Sequence, residues 1–214
     1  MKRNFVTLSS VLLCSIVGCS TPNLKDEGSG AQLGFQVRIE RPASPPDSAH
    51  KDNPLAHMWL IPVPSGVYGA PVGKSLVDVY AHDGERFQVS QRTLESGLAA
   101  AAKASKPFLV TYDPVETRIA RLGTVTMDSN SSISGQSGLR DPVSGRTLIL
   151  IYADGACLIR GPQMNVAIPG RGLHWLEVLD SAGASGAWNA VAHPFELRGA
   201  PTDVIFRITE TRKP

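Results

Sequence analysis

Between Gln32 and Glu40 the chain alternates strictly. Leu33, Phe35, Val37 and Ile39 fall on one face, and Gln32, Gln36, Arg38 and Glu40 on the other. Extended backbone points successive side chains to opposite sides, so this pattern is a strand with one buried face. The loop that follows, residues 41–54, carries prolines that cannot donate to a ladder. Further strand patterns come in short runs: Met58 to Val63, Leu76 to Val89, "PFLVTY", "TRIARLGTVTM", Thr147 to Arg160, Gln163 to Asp180, and "TDVIFRIT" near the end. Three of these runs break at glycine-bearing turns, Asp83-Gly84, Asp154-Gly155 and Pro169 to Gly172. Asp-Gly suits the tight turn of a β-hairpin, so a hairpin is expected at each, the strongest at Asp154-Gly155.

One segment reads as a helix, Leu94 to Ser105, on the strength of four consecutive alanines, with Gly97 weakening it. Ser129 to Arg146 is rich in serine and glycine and is the longest stretch without periodicity, read as a functional loop or a seam. Nothing repeats at a fixed period, which argues against solenoids and propellers. The expectation is therefore a mostly β fold: a β-sandwich-like domain over residues 31–214 with one short helix on an edge or end. A two-lobed arrangement split around 129–146 is the alternative. A membrane-spanning barrel would need longer, more regular strands and aromatic girdles.

The first eighteen residues follow a different logic. Met1-Lys2-Arg3 is a basic head, Phe5 to Leu13 is mostly apolar, and small residues lead to Cys19. That is the order of an export signal, too short for a span of ~20 apolar residues. The step Ile16-Val17-Gly18-Cys19 resembles the lipobox of bacterial lipoproteins. The resemblance covers the signal region only; the folded part resembles no family. It implies cleavage between Gly18 and Cys19 and acylation of Cys19, palmitate included. Residues 19–30 then form a polar tether. One acyl chain anchors marginally, whereas two or three hold a protein on the bilayer. Ser20 follows the cysteine and no aspartate stands there, which in such lipoproteins directs the protein to the outer membrane, facing the periplasm. Cys14, preceded by the bulky Leu13, is the poorer match.

Cleavage changes the charge balance. The whole chain is formally +2, and Lys2 and Arg3 supply both charges, leaving 19 basic against 19 acidic residues. The longest basic group, Arg207, Arg212 and Lys213, is no nucleic-acid stripe. Cys14 leaves with the signal and Cys19 is acylated, so Cys157 has no partner for a disulfide. Its apolar neighbours suit a buried, inert thiol.

Chemical motifs are sparse. "GAPVGKS", Gly69 to Ser75, has one residue too few for a phosphate-binding loop, carries Tyr68 where the first glycine belongs, and leads into a strand. Ser137 in "SGQSGLR" approaches a nucleophile elbow but lacks its second glycine and its helix. Any of His50, His57, His82, His174 and His193 could serve as a base, yet none stands in a triad context. His50, Asp52 and His57 lie near one another in sequence, and His82 precedes Asp83, without the paired spacing of a zinc site. Trp59 and Trp175 lie in apolar runs and are expected in the core; Trp188, after a small-residue loop, is the candidate for contact with a partner. The reading is a lipoprotein with no cofactor, no metal and no catalytic residue, whose β domain binds an envelope protein or supports assembly of an envelope complex. Glycan or peptidoglycan binding through Trp188, and a hydrolase using Ser137 and a histidine, are the alternatives.

Overall fold

The computed structural model describes residues 31–40, 55–65, 74–106, 111–128, 134–161, 164–181, 188–195 and 204–211. The expected signal, cleavage site, Cys19 and tether lie outside them. Within them the fold is mostly β with a single short helix. In chain order the elements are β1 (Gln32–Glu40), β2 (Leu55–Pro64), β3 (Val77–His82), β4 (Arg86–Ser90) and α1 (Gln91–Ala102). Then come β5 (Thr111–Asp113), β6 (Ile119–Asp128), β7 (Ser134–Arg140), β8 (Thr147–Ala153) and β9 (Cys157–Gly161). β10 (Met164–Ile168), β11 (Gly172–Ser181), β12 (Trp188–Pro194) and β13 (Val204–Thr211) complete the chain.

Pairing radiates from β8. One edge of β8 lies antiparallel to β11 from Leu148 to Ala153. The other edge is shared: Thr147 and Leu148 pair with β7, and Ile151 to Ala153 pair with β6. From this fork one branch continues β7–β13–β1–β4 and the other β6–β2–β3, while β11 leads on through β12, β10 and β9 to β5. Leu148, Leu150 and Tyr152 point into one hydrophobic cluster, with Phe35, Val37, Met58, Leu60, Trp175 and the helix residues Leu94 and Leu98. Ile151 and Ala153 point into a second, with Tyr112, Cys157, Ile159, Val166 and Ile168. An apolar run such as "LILIYA" is what a strand buried on both faces requires.

The alternation of β1 holds: Leu33, Phe35 and Val37 are buried in the first cluster, with Ile39 packed against it. The helix begins three residues before the expected start, because Ser90 caps it by accepting the Thr93 N–H at 3.1 Å. The last expected residues, Lys103 to Ser105, lie in the turn after it. Gly97 has a packing reason: a Cβ there would fall 2.3 Å from Cδ2 of Leu76.

None of the three expected hairpins forms. β3 pairs with β2 and β4 with β1; β9 pairs with β10 and β5; β10 pairs with β9 and β12. Both edges of β8 are occupied, so β9 cannot add to it and must turn away. The edges of β11 are likewise taken by β8 and β12. The Ser129–Arg146 stretch also departs from its reading. Residues 134–140 are β7, laid along β13, and Asp141 to Arg146 is a tight turn in which the Asp141 carboxylate accepts from the N–H groups of Val143 and Ser144.

Two stability outcomes follow from this packing. Leu150→Ala removes a fully buried side chain of β8 and should cost about 2–5 kcal/mol in urea unfolding, whereas Val143→Ala, at a position 94% exposed, should change nothing measurable. Gly97→Ala brings helix propensity worth about 1 kcal/mol but must displace the end of the Leu76 side chain, so it should stabilise a Leu76→Ala background more than it stabilises the wild type. An equal change in both backgrounds would refute the packing account.

Candidate binding face

Strand parity divides β2 and β3. Met58 and Leu60 of β2 and Val77, Val79 and Ala81 of β3 go to the first core. His57, Trp59, Asp78 and Tyr80 are therefore left on the outer face. Antiparallel register sets His57 opposite Tyr80 and Trp59 opposite Asp78, with Val125 of β6 on the far side of Trp59.

The rings make one stack. His57 lies parallel to Tyr80, centroids 3.9 Å apart at 15°, and Trp59 tilts against it at 3.8 Å and 47°. The His57 Nε2–H donates diagonally to Oδ1 of Asp78 at 2.5 Å. That hydrogen bond is the main reason the Asp78 carboxyl is held below its ordinary range; burial opposes it, and a hydrogen bond from Trp59 and the charge of His57 add smaller lowering effects. Tyr80 and the Asp78 side chain are each 57% exposed and Val125 is 42% exposed. The cluster thus leaves aromatic and apolar surface exposed on an outer sheet face, outside both cores.

Trp59 thus departs from its expected place in the core. Trp175 keeps it, fully buried and stacked at 6.0 Å on Phe195. The signal for the outer cluster was present in "VDVYAH", where Asp78, Tyr80 and His82 alternate with three apolar residues. In "HMWL" it was masked, because tryptophan and methionine are both apolar and the run reads as continuous.

The other candidates are dispersed. His57 is bonded to Asp78; the other two members of the sequence cluster, His50 and Asp52, lie outside the described residues. His82 ends β3 and Asp83 sits in the turn after it. Among the described residues no group of three His, Cys, Asp or Glu side chains could hold a metal ion, and no helix is long and apolar enough to cross a membrane. Ser137 lies within β7 opposite Ile208, a strand position rather than a strand-to-helix elbow. His193 of β12 faces Glu177 of β11 at 3.4 Å, and Arg146 reaches the same carboxylate at 3.0 Å. This network ties the end of the β7–β8 turn to β11 and β12. His174 is buried, its Nε2–H donating to the Gly170 carbonyl at 2.8 Å, with Nδ1 buried and unpartnered. Trp188 opens β12, its backbone opposite Ser181 and Met164.

Cys157 is buried in the second core. Burial pushes its thiol up, the Asp154 charge adds to this, and a hydrogen bond with Thr117 partly offsets both. The chain matches no family model, no curated protein and no solved structure.

A thiol whose folded pKa is raised keeps its proton in the native state above the pH at which the unfolded thiol loses it. Stability is then full below the ordinary thiol value of ~8.5 and falls as pH rises above it. Urea midpoints of the wild type should accordingly drop from pH 8 to pH 10 more steeply than those of Cys157→Ala. Equal slopes would show that the thiol is not the titrating group.

Proposed function

We propose that this protein is a lipoprotein, anchored to the bacterial envelope through acylated Cys19, whose β domain is a non-catalytic module that docks a protein partner on the outer face of β2, β3 and β6. The single observation that carries the docking reading is the Trp59–His57–Tyr80 stack with Val125 beside it. These are large apolar and aromatic surfaces that the domain leaves outside its own cores, and interface centres are enriched in such residues. The anchor rests on the order of the first nineteen residues: basic head, apolar run, then Gly18-Cys19. A tether of about a dozen residues between Cys19 and β1 gives the module reach from the bilayer surface, and the outer membrane remains the expected address.

Two measurements test this. In membrane fractionation the wild type should sediment with membranes and Cys19→Ala should accumulate as unprocessed precursor; a processed, membrane-bound Cys19→Ala protein would defeat the anchoring. A photo-crosslinking residue placed at Val125 in intact cells should give one discrete protein adduct, and the same residue at Val143, in the β7–β8 turn, should not. Absence of an adduct at Val125, or an identical one at Val143, would overturn the docking face.

A further inference from the structure

The outer face of β3 says more about the partner. Among the described residues β3 pairs with β2 alone, so one of its edges has no strand beside it. At its C-terminal end the chain turns through Asp83 to Glu85 and docks on β1: Val37 N–H donates to the Glu85 carbonyl at 2.8 Å, and Ile39 N–H to Oδ1 of Asp83 at 2.9 Å. Among the described residues, the part of this edge with no strand or turn beside it runs from Val77 to Tyr80. Along it Val77 and Val79 face the core, while Asp78 and Tyr80 face out.

We propose that this edge takes an extended basic segment of the protein partner as an added strand, with an arginine or lysine side chain lying over the Tyr80 ring and against the Asp78 carboxylate. The inference rests on the docking reading above and names the chemistry of its partner. A strand added to an open edge gains main-chain hydrogen bonds, and alternate side chains supply the selectivity. Tyr80 has one face against His57 and is otherwise exposed. Electron-rich ring faces attract cations, and a guanidinium can stack on one while its fork meets a carboxylate. Asp78 already accepts from His57 and from the Trp59 indole, yet a carboxylate has about four acceptor sites in all. Trp59, opposite Asp78 on β2, adds apolar surface beside the site toward which the stem of a long basic side chain can extend.

Charge also selects against other occupants. A second copy of β3 set edge to edge would bring two Asp78 carboxylates together, and an acidic segment would meet the same repulsion. A charge in the middle of an edge strand is a common guard against such self-pairing, and a basic strand turns that guard into an attraction. A sugar would find one ring face and one carboxylate but few further polar partners, since Val125 and Gly123 are the outward β6 residues nearest Trp59 and Ile61.

The test uses the full acylated chain in detergent and two synthetic six-residue peptides with blocked ends, one alternating arginine with valine and one alternating glutamate with valine. The arginine peptide should bind weakly, slow exchange of those Val77 to Tyr80 amides that point away from β2, and lose affinity in high salt. Asp78→Asn and Tyr80→Ala should each weaken it by about two- to fivefold, as expected for an exposed ion pair and an exposed cation–π contact. Tyr80→Phe, which keeps the ring, should retain binding and shows that any loss in Tyr80→Ala is not misfolding. Equal binding of the glutamate peptide, no binding of the arginine peptide, indifference to both Asp78→Asn and Tyr80→Ala, or Tyr80-dependent binding of a chitin-type oligosaccharide instead would each overturn the inference. A crosslinked partner at Val125 alongside any of those results would leave the docking face standing and discard only its basic-strand chemistry.

Discussion

The fold depends on β8, a seven-residue strand with five buried residues and a neighbouring strand on each edge, one edge being shared by β7 and β6. Leu148, Leu150 and Tyr152 belong to one core and Ile151 and Ala153 to the other, so both clusters share a single wall of backbone. Each fully buried aliphatic side chain of this kind contributes about 1.5–3 kcal/mol relative to exposure. Register is consequently held from both sides. A slip of one residue would exchange the two sets of side chains, and Ile and Ala cannot fill the volume that Leu and Tyr leave. Neither core can be repacked without disturbing the other.

From a saturated central strand the turns acquire their meaning. Asp154 follows β8 where a hairpin would need an edge that β6 already occupies. Its backbone N–H instead donates to the Arg118 carbonyl, and its carboxylate accepts the Arg118 N–H at 2.7 Å. That side-chain bond prolongs the β6–β8 ladder by one step, after which the chain leaves for the second core. Asp83 does comparable work on β1, where the turn residues stand in for a neighbouring strand beyond Gln36. Gly84, at φ 86°, provides the left-handed backbone that such a turn demands. In both corners aspartate is chosen for its acceptor oxygen, which a hairpin tip does not require.

The contrast explains what could be read from residue order. Alternation along β1 and the apolar runs of β2, β8 and β11 are local properties, and they identified strands, a mostly β class and a single helix. Pairing is a non-local property set by which edges are already filled, and an Asp-Gly step looks the same whether it closes a hairpin or turns a corner. β7 escaped notice for another reason. "SGQSGLR" has a single buried apolar residue, Leu139, and the strand is held chiefly through its ladder with β13. Its serines and glycines carry no hydrophobic period to detect. The helix start was displaced because Ser90 serves both as the last residue of β4 and as the cap of α1.

The outer stack on β2 and β3 is where parity and chemistry meet. Met58 and Leu60 must face the first core, and a strand that buries them has to place His57 and Trp59 outside. Turning the strand over would put the His57–Asp78 hydrogen bond into an apolar interior and expose two residues that are now 1% accessible. Parity accounts for which face the rings occupy and leaves open why rings stand there, since threonine or lysine would satisfy a solvent-facing position on an outer sheet. The domain also spends a hydrogen bond from His57 and another from Trp59 to hold the Asp78 carboxylate in place beside them. Rings held by a carboxylate, outside both cores and beside an edge of β3 that has no strand next to it among the described residues, are why the proposed docking is assigned to this face. In the lipoprotein reading, the tether then matters because it sets how far from the bilayer that edge can be presented.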